Sequence, residues 1–444
     1  MRPASEGLKA NAAAVKPPLN IAIAGLGTVG AGTLRLLRAN AALLAARSGR
    51  PLVVTAVAAR DRGRDRGLDL AGLRWESDPL ALAAAPDVDV VVELIGGAEG
   101  VARNLVTSAL EHGKPVVTAN KALIAQHGAA LARLAEKHRV ALAFEAAVAG
   151  GIPILKALRE GLGANKVQRI YGILNGTCNY ILTAMRETGS EFQDALTEAQ
   201  RRGYAEADPG FDIDGVDAAH KLALLASVAF GTAVDFASVH VEGIRHVSAL
   251  DIEFAAELGY RIKLLGLARP TEHGLEQRVH ACMVPRGAPI AHVDGVFNAV
   301  VVEGDFVGRV MLEGRGAGAE PTASAVVADL LDIAKGGTAT SFAVPASQLA
   351  PARPAPMARH CGAYYVRLMV VDRTGVIAEV AAALRDEQVS MEQMIQRGRS
   401  PGEAVPVVLT THDAEEAAMR RAVERIARLD SIVEPPRFIR VENL

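Results

Sequence analysis

Asn20-Ile21-Ala22-Ile23-Ala24-Gly25-Leu26-Gly27-Thr28-Val29-Gly30 decides how the N-terminal part of the chain folds. The apolar run before Gly25 reads as a buried strand, and Thr28 through Leu37 reads as a helix opening on a glycine-rich turn. Glycines there permit a tight turn, close approach of a pyrophosphate and close packing of helix on sheet. The phosphates would then meet free N–H groups at the positive end of the helix dipole. Glycines also mark ordinary loops, but a strand before and a helix after favour dinucleotide binding. Cofactor contacts are therefore expected at Gly25, Leu26, Gly27, Thr28, Val29 and Gly30.

Working outward, strands at Leu52–Ala58, Val88–Glu93, Pro115–Thr118 and Val140–Phe144 alternate with Ala/Leu-rich helical stretches. That alternation predicts an α/β fold: a doubly wound parallel sheet of Rossmann type over 19–149, with a return segment near 325–342. Residues 1–18 are polar and Ala-rich with no apolar signal core, and read as a loose tail. Residues 150–324 differ, with helices at Phe192–Arg202 and Val216–Phe230 followed by strand-like sequence over 276–312. They read as an α+β domain holding the substrate and a dimer contact. A Pro- and Ala-rich stretch, 343–358, reads as a linker acting as a hinge. Strand Tyr364–Val371, helix Val376–Glu387, strand Val405–Thr411 and helix Glu415–Leu429 then predict a small second α/β unit over 359–437.

Half of the 444 residues are hydrophobic and only 4% are aromatic, so the cores are built from Ala, Val, Leu and Ile. A formal net charge of −2 gives no argument for nucleic acid or an anionic membrane surface. Cys178, Cys282 and Cys361 lie far apart without metal-ligand spacing, which fits a reducing, cytoplasmic setting. No apolar run is long enough to read as a membrane span. At the end of the second strand Arg60 stands where an NAD-selecting acid is expected. A guanidinium suits a 2′-phosphate, which points to NADP, while Asp61 one residue later leaves NAD open.

Two segments carry the chemistry. Leu174-Asn175-Gly176-Thr177-Cys178-Asn179-Tyr180-Ile181-Leu182 is followed by Gly203-Tyr204-Ala205-Glu206-Ala207-Asp208-Pro209 and by Asp212 through Lys221. Acids before a helix can simply favour its positive end. Asp217 and Lys221, four apart, share one helical face, where a surface ion pair is the plain alternative. Lys221, however, heads Leu222-Ala223-Leu224-Leu225, so its stem should lie on apolar surface. A partly buried lysine facing several carboxylates reads as a polar pocket for a zwitterionic substrate.

This run, with Thr118-Ala119-Asn120-Lys121-Ala122, Gly314-Arg315-Gly316-Ala317-Gly318 and Pro321-Thr322-Ala323-Ser324-Ala325, resembles the homoserine dehydrogenases over roughly 19–342. Gly210 departs from the family's usual Thr. The resemblance implies NAD(P)-dependent interconversion of L-homoserine and L-aspartate 4-semialdehyde, serving threonine, methionine and isoleucine biosynthesis. It implies Lys221 as the catalytic lysine, Asp217 as its partner and Lys121 near the reacting oxygen and the cofactor. Glu206 and Asp212 would hold the substrate's amino end, with Gly176, Thr177 and Tyr204 beside them, and Gly96, Gly203 and Gly318 would contact the cofactor. Glu145, Val148, Gly150 and Ile152 match positions that bind a monovalent cation, usually sodium; a strand-to-helix turn with a capped Glu145 is the alternative.

The tail resembles an ACT domain, a ferredoxin-like βαββαβ unit, through Val370-Val371-Asp372-Arg373-Thr374-Gly375-Val376-Ile377-Ala378. Asp372, Gly375 and Val376 would then contact an amino-acid effector, with threonine the expected one, and such domains pair edge to edge. A homodimer or homotetramer is the expected assembly. A purely structural dimerisation module is the competing reading.

Overall fold

The computed structural model describes residues 16–337, 340–398 and 400–444, so the tail expected over 1–18 lies, through residue 15, outside the described residues. Strands β1 (Leu19–Ala24), β2 (Leu52–Ala58), β3 (Arg74–Glu76), β4 (Val90–Glu93), β5 (Val116–Thr118) and β6 (Leu142–Ala143) form one sheet in the order β3-β2-β1-β4-β5-β6. Every neighbouring pair is parallel. The chain winds outward from β1 in both directions, which opens a crevice at the carboxyl ends of β1 and β4. Helices α1 (Thr28–Ala39), α2 (Ala41–Ser48), α3 (Leu80–Ala84), α4 (Val101–Glu111) and α5 (Lys121–His138) lie along the connections. Strand β3 has no counterpart in the sequence reading, because three residues are too few to show a period.

The middle of the chain contributes α6 (Ile154–Lys156), β7 (Val167–Ile173), α7 (Gly176–Thr188), α8 (Phe192–Arg201), α9 (Gly210–Ile213), α10 (Val216–Phe230) and β8 (His240–Val241). It continues with α11 (Ala249–Glu257), β9 (Tyr260–Thr271), β10 (Gly274–Pro285), β11 (Phe297–Gly304), β12 (Gly308–Arg315) and α12 (Ala319–Lys335). The order β12-β11-β7-β9-β10 is antiparallel throughout. Helix α10 buries Ala218, Leu222, Leu224 and Leu225 in the main core, and so is apolar nearly all round. Helix α12 returns to the parallel sheet, where Val326 and Leu330 share a core with Ile21 and Leu34.

Caps fix where the helices next to the cleft begin. The Asn120 side chain accepts from Leu123 N at the start of α5, and Asn175 does the same for Cys178 N at the start of α7. Ser248 and Asp251 form a reciprocal capping box on α11.

The C-terminal unit is β13 (Cys361–Val371), α13 (Val376–Asp386), β14 (Met391–Gln396), β15 (Ala404–Thr411), β16 (Ala414–Glu415), α14 (Glu416–Ile426) and β17 (Ile432–Val441). With the two-residue β16 set aside, this is βαββαβ, closed over its own core of Tyr364, Val366, Leu384, Val407 and Met419. Its last strand was implied by the ACT resemblance alone, since Pro435 and Pro436 interrupt the apolar pattern.

The hinge expected at 343–358 is corrected by what surrounds it. Strand β17 pairs in parallel with β10 through Cys282–Arg440 and Met283–Val441, so the two sheets form one eleven-stranded sheet. The connecting segment is itself tied down: Ala233 N donates to Ala350 O (2.9 Å), Leu275 N to Arg353 O (2.8 Å) and Ala355 N to Leu275 O (3.0 Å). Among the described residues no helix is long and apolar enough to cross a membrane.

Candidate active site

At the carboxyl end of β1 the glycine-rich turn takes the shape its sequence demands. Gly25 has φ +99°, and a Cβ there would lie 2.4 Å from Leu94 O, so the strand-to-helix turn excludes a side chain. Gly27 is different: it is exposed, has φ −75°, and a Cβ would meet nothing within 4 Å. The space in front of Gly27 and Thr28, at the start of α1, is where a pyrophosphate would approach the free N–H groups.

Across the crevice, Glu93 at the end of β4 is fully buried. Its carboxylate accepts from Ile95 N (2.8 Å), Gly96 N (2.9 Å) and Thr118 Oγ1 (2.5 Å). Asn120 N donates to Thr118 Oγ1 (3.0 Å), and Asn120 Nδ2 donates to Gly97 O (2.7 Å). This network fixes the Gly96–Gly97 turn against the first residue of α5, Lys121. The sequence reading missed Glu93 because a buried, hydrogen-bonded acid leaves no periodic trace.

A cleft of about 710 Å³ separates this wall from the second domain. Lys121, Asp212, Asp217 and Lys221 all line it, together with Gly96, Gly150, Gly176, Thr177, Gly203, Tyr204 and Gly318. Asp217 lies between the two lysines. Lys221 Nζ donates to Asp217 Oδ2 (2.7 Å) and to Leu174 O (2.8 Å), while Lys121 Nζ pairs with Asp217 Oδ1. Burial alone would push the Asp217 carboxyl up, but Lys221 and then Lys121 outweigh it and hold the group well below the usual carboxylate range. Asn175 Nδ2 donates to both Asp212 Oδ1 (2.7 Å) and Asp217 Oδ2 (2.9 Å), and the Thr177 hydroxyl, with one proton to give, lies 2.8 Å from Tyr204 O and 3.2 Å from Asp212 Oδ2. Cys178, fully buried, has its thiol pushed well up by that burial, which disfavours a nucleophilic thiolate there.

Other expected residues stand apart from this cluster. Glu206 is exposed and off the cleft lining; its backbone oxygen accepts from Gln200 Nε2 (3.0 Å). Gly210 opens α9, its N–H donating to Asp208 Oδ1 (3.2 Å). Arg60 is exposed beyond β2, and the Asp61 carboxylate accepts from Gly63 N (2.9 Å) and Arg64 N (3.2 Å) in its own turn. A nearby guanidinium that sequence did not single out, Arg66, donates to Leu26 O (3.1 Å) and lies over the Trp75 ring.

At the turn 145–152 the Glu145 carboxylate accepts from Leu155 N and Lys156 N, both at 2.9 Å. That is the capping role which a carboxylate fills without an ion. Burial, reinforced by Asp329, pushes its carboxyl up to about 7. Of the backbone oxygens expected there, Ile152 O already accepts from Ile154 N (2.8 Å); Val148 is buried and Gly150 lines the cleft.

In the C-terminal unit Asp372 Oδ2 accepts from Ser400 N (2.7 Å), so this side chain pins the neighbouring loop. Gly375 is exposed at the start of α13 with φ +94°, and Val376 is buried.

Comparison with known proteins matches each of the three domains to a known family. The homoserine dehydrogenase NAD-binding domain matches residues 25–145, the homoserine dehydrogenase catalytic domain matches 153–331, and the ACT domain matches 364–430. A homoserine dehydrogenase from Neisseria gonorrhoeae is 47% identical over 433 residues, covering 96% of this chain and 99% of the relative. The crystal structure of a homoserine dehydrogenase from Thiobacillus denitrificans superposes with a TM-score of 0.90 at 46% identity, covering 96% of this chain and 98% of that one. A hyperthermophilic archaeal homoserine dehydrogenase solved with NADPH covers 71% of this chain and 97% of its own, at 28% identity and a TM-score of 0.61. The chain belongs to the homoserine dehydrogenase family and carries an ACT domain at its C-terminal end.

Proposed function

We propose that this chain interconverts L-homoserine and L-aspartate 4-semialdehyde with NADP(H), and that threonine restrains it through the ACT domain. The observation that carries the chemistry is one buried carboxylate, Asp217, holding two lysines at the lining of a cleft beside the parallel sheet. The glycine turn fits a dinucleotide, since the side-chain-free space at Gly27 faces the start of α1. When bound, the nicotinamide supplies or accepts the hydride at substrate C4.

Reduction converts the aldehyde oxygen into an alkoxide, which needs a positive charge and then a proton. An ammonium has three N–H donors, and Lys221 commits two of them to Asp217 and Leu174. The third serves the substrate oxygen, with Lys121 beside it. Asp217, kept ionised, holds both ammonium groups at the cleft lining. Asp212, which lines the cleft as Glu206 does not, receives the substrate ammonium, and Thr177 and Tyr204 flank it.

Arg60 supports NADP over NAD, and the Asp61 carboxylate is already used within its own turn. A monovalent cation at 145–152 would rest on the carbonyls of Val148 and Gly150, because the Glu145 carboxylate is engaged in capping. The exposed N–H groups before α13 suit an effector carboxylate.

The test is an assay of the purified chain with aspartate semialdehyde and either NADPH or NADH, with and without threonine. Faster oxidation of NADPH, slowed by threonine, is expected; no turnover with either cofactor would overturn the reaction, and indifference to threonine would overturn the regulation. Lys221→Ala should lower kcat by about 10²–10⁴-fold while NADPH binding, followed by fluorescence, survives. Near-normal kcat would remove Lys221 from the chemistry.

A further inference from the structure

We propose that Asn175 is a positioning residue, whose single carboxamide fixes the carboxylates of Asp212 and Asp217 in the orientation the substrate meets. The inference rests on the reading of the cleft given above and adds a residue to it. Asn175 is 3% exposed, and a carboxamide has one acceptor oxygen and two N–H donors. All three are used: Oδ1 accepts from Cys178 N (2.9 Å), and Nδ2 donates to Asp212 Oδ1 (2.7 Å) and Asp217 Oδ2 (2.9 Å). The backbone N–H on one side and two carboxylates on the other dictate which end of the amide is which. A flipped amide would set N–H against N–H and oxygen against both carboxylates.

The chemistry explains why a neutral donor stands here. Two carboxylates that reach one nitrogen repel each other, and without a bridge one of them would take up a proton or swing away. A third lysine could bridge them, but its charge would compete with the substrate ammonium and repel the Lys221 ammonium. An amide bridges them and adds no charge. It also anchors them to the first turn of α7, because the same side chain is that helix's cap. Asp217 Oδ2 is the oxygen that Lys221 Nζ also contacts, so Asn175 and Lys221 together define the plane of that carboxylate.

Asn175→Asp separates the two duties. Aspartate caps a helix as well as asparagine does, but it replaces both N–H donors with an oxygen facing Asp212 and Asp217. The charged and titratable groups around it are Asp212, Asp214, Asp217, Lys121, Lys221 and the Cys178 thiol, with His220 beyond Asp217 and Lys121 and common to variant and wild type. Once protonated, the new carboxyl can again donate to one neighbour. Relative to wild type, the variant's kcat/KM for aspartate semialdehyde should be at least tenfold down at pH 8 and should recover as the pH is lowered to 6, with NADPH affinity held within twofold. A variant-to-wild-type ratio that is flat in pH, or near unity throughout, would overturn the role. If Asn175→Asp fails to fold, Asn175→Ser decides: it keeps a cap but is too short to bridge. It should lose at least tenfold in kcat/KM, mostly through KM, with NADPH binding intact, and parity with wild type would overturn the role. The wild-type assay separates the two levels. An inactive wild type overturns the substrate reading and this inference together, whereas an active wild type matched by the variants overturns Asn175 alone.

Discussion

Asp217 holds the cleft together, and its contribution has a definite pH signature. Its carboxyl lies below the unfolded value of about 3.9, so the stability it adds is complete above that value. That stability is lost as pH falls toward the lower folded value. Asp217→Asn leaves two ammonium groups facing each other, one of them almost fully buried, and should cost on the order of 3 kcal/mol near neutrality. In urea titrations the gap between wild type and variant should be constant above about pH 5 and should shrink below about pH 4; a gap that widened in acid would contradict the depressed carboxyl. Residues such as Asp217 and Lys221 were legible in sequence because their spacing places them on one face of a helix with an apolar stem. Glu93 and Asn175 were not legible as site residues. Their partners come from segments distant in sequence (Thr118 for Glu93, Asp212 and Asp217 for Asn175), and hydrogen bonds across such distances leave no spacing to read.

Elements whose purpose is local were read most accurately. The glycine turn and α1 follow from a short-range rule, and α10 was bounded correctly because its apolar residues, interrupted by Ser227 alone, run from Leu222 to a glycine. Strands β3 and β14 escaped because one is three residues long and the other, Met391–Gln396, is mostly exposed and polar. The two glycines of the turn can also be told apart by experiment. Alanine at Gly25 is barred by Leu94 O and by its positive φ. Alanine at Gly27 meets no atom within 4 Å and sits at an ordinary φ of −75°. Gly27→Ala should therefore leave the folded chain as stable, or raise stability by about 0.4–1 kcal/mol through the unfolded state, while weakening NADPH binding. Thermal melts and fluorescence titration check the two halves. Unchanged cofactor affinity would mean that the pyrophosphate does not pass over this turn.

At the scale of the whole molecule, the ACT domain is joined to the catalytic domain by buried charge and by a shared sheet, and the seam is where a regulatory signal would have to cross. Arg440 on β17 is 1% exposed and binds Glu242 Oε2 (2.7 Å) and Glu416 Oε1 (2.6 Å), linking the catalytic segment after β8 to the start of α14. Asp251 of α11 accepts from Tyr365 Oη (3.0 Å) and Arg367 Nε (2.7 Å) of β13. Just beyond β17, Glu442 pairs with Arg278 of β10, both buried, with Arg278 Nε also donating to Glu276 Oε1 (2.8 Å). Cutting the chain in the 343–358 segment would strip β10 of its neighbour and leave Arg278 without Glu442, so point substitutions test the seam more cleanly than truncation. Glu442→Ala removes one partner of a buried pair and should cost about 3 kcal/mol. Because β10 and β17 pair directly, the loss should appear at both strands at once: amide exchange over 282–285 and over 438–441 should accelerate together, while the parallel sheet around β1 stays protected. Rapid exchange confined to β17 would show that the ACT domain opens on its own. In that case a ligand on α13 could move the domain without moving β10, and the seam could not carry its signal to the Asp217 cleft.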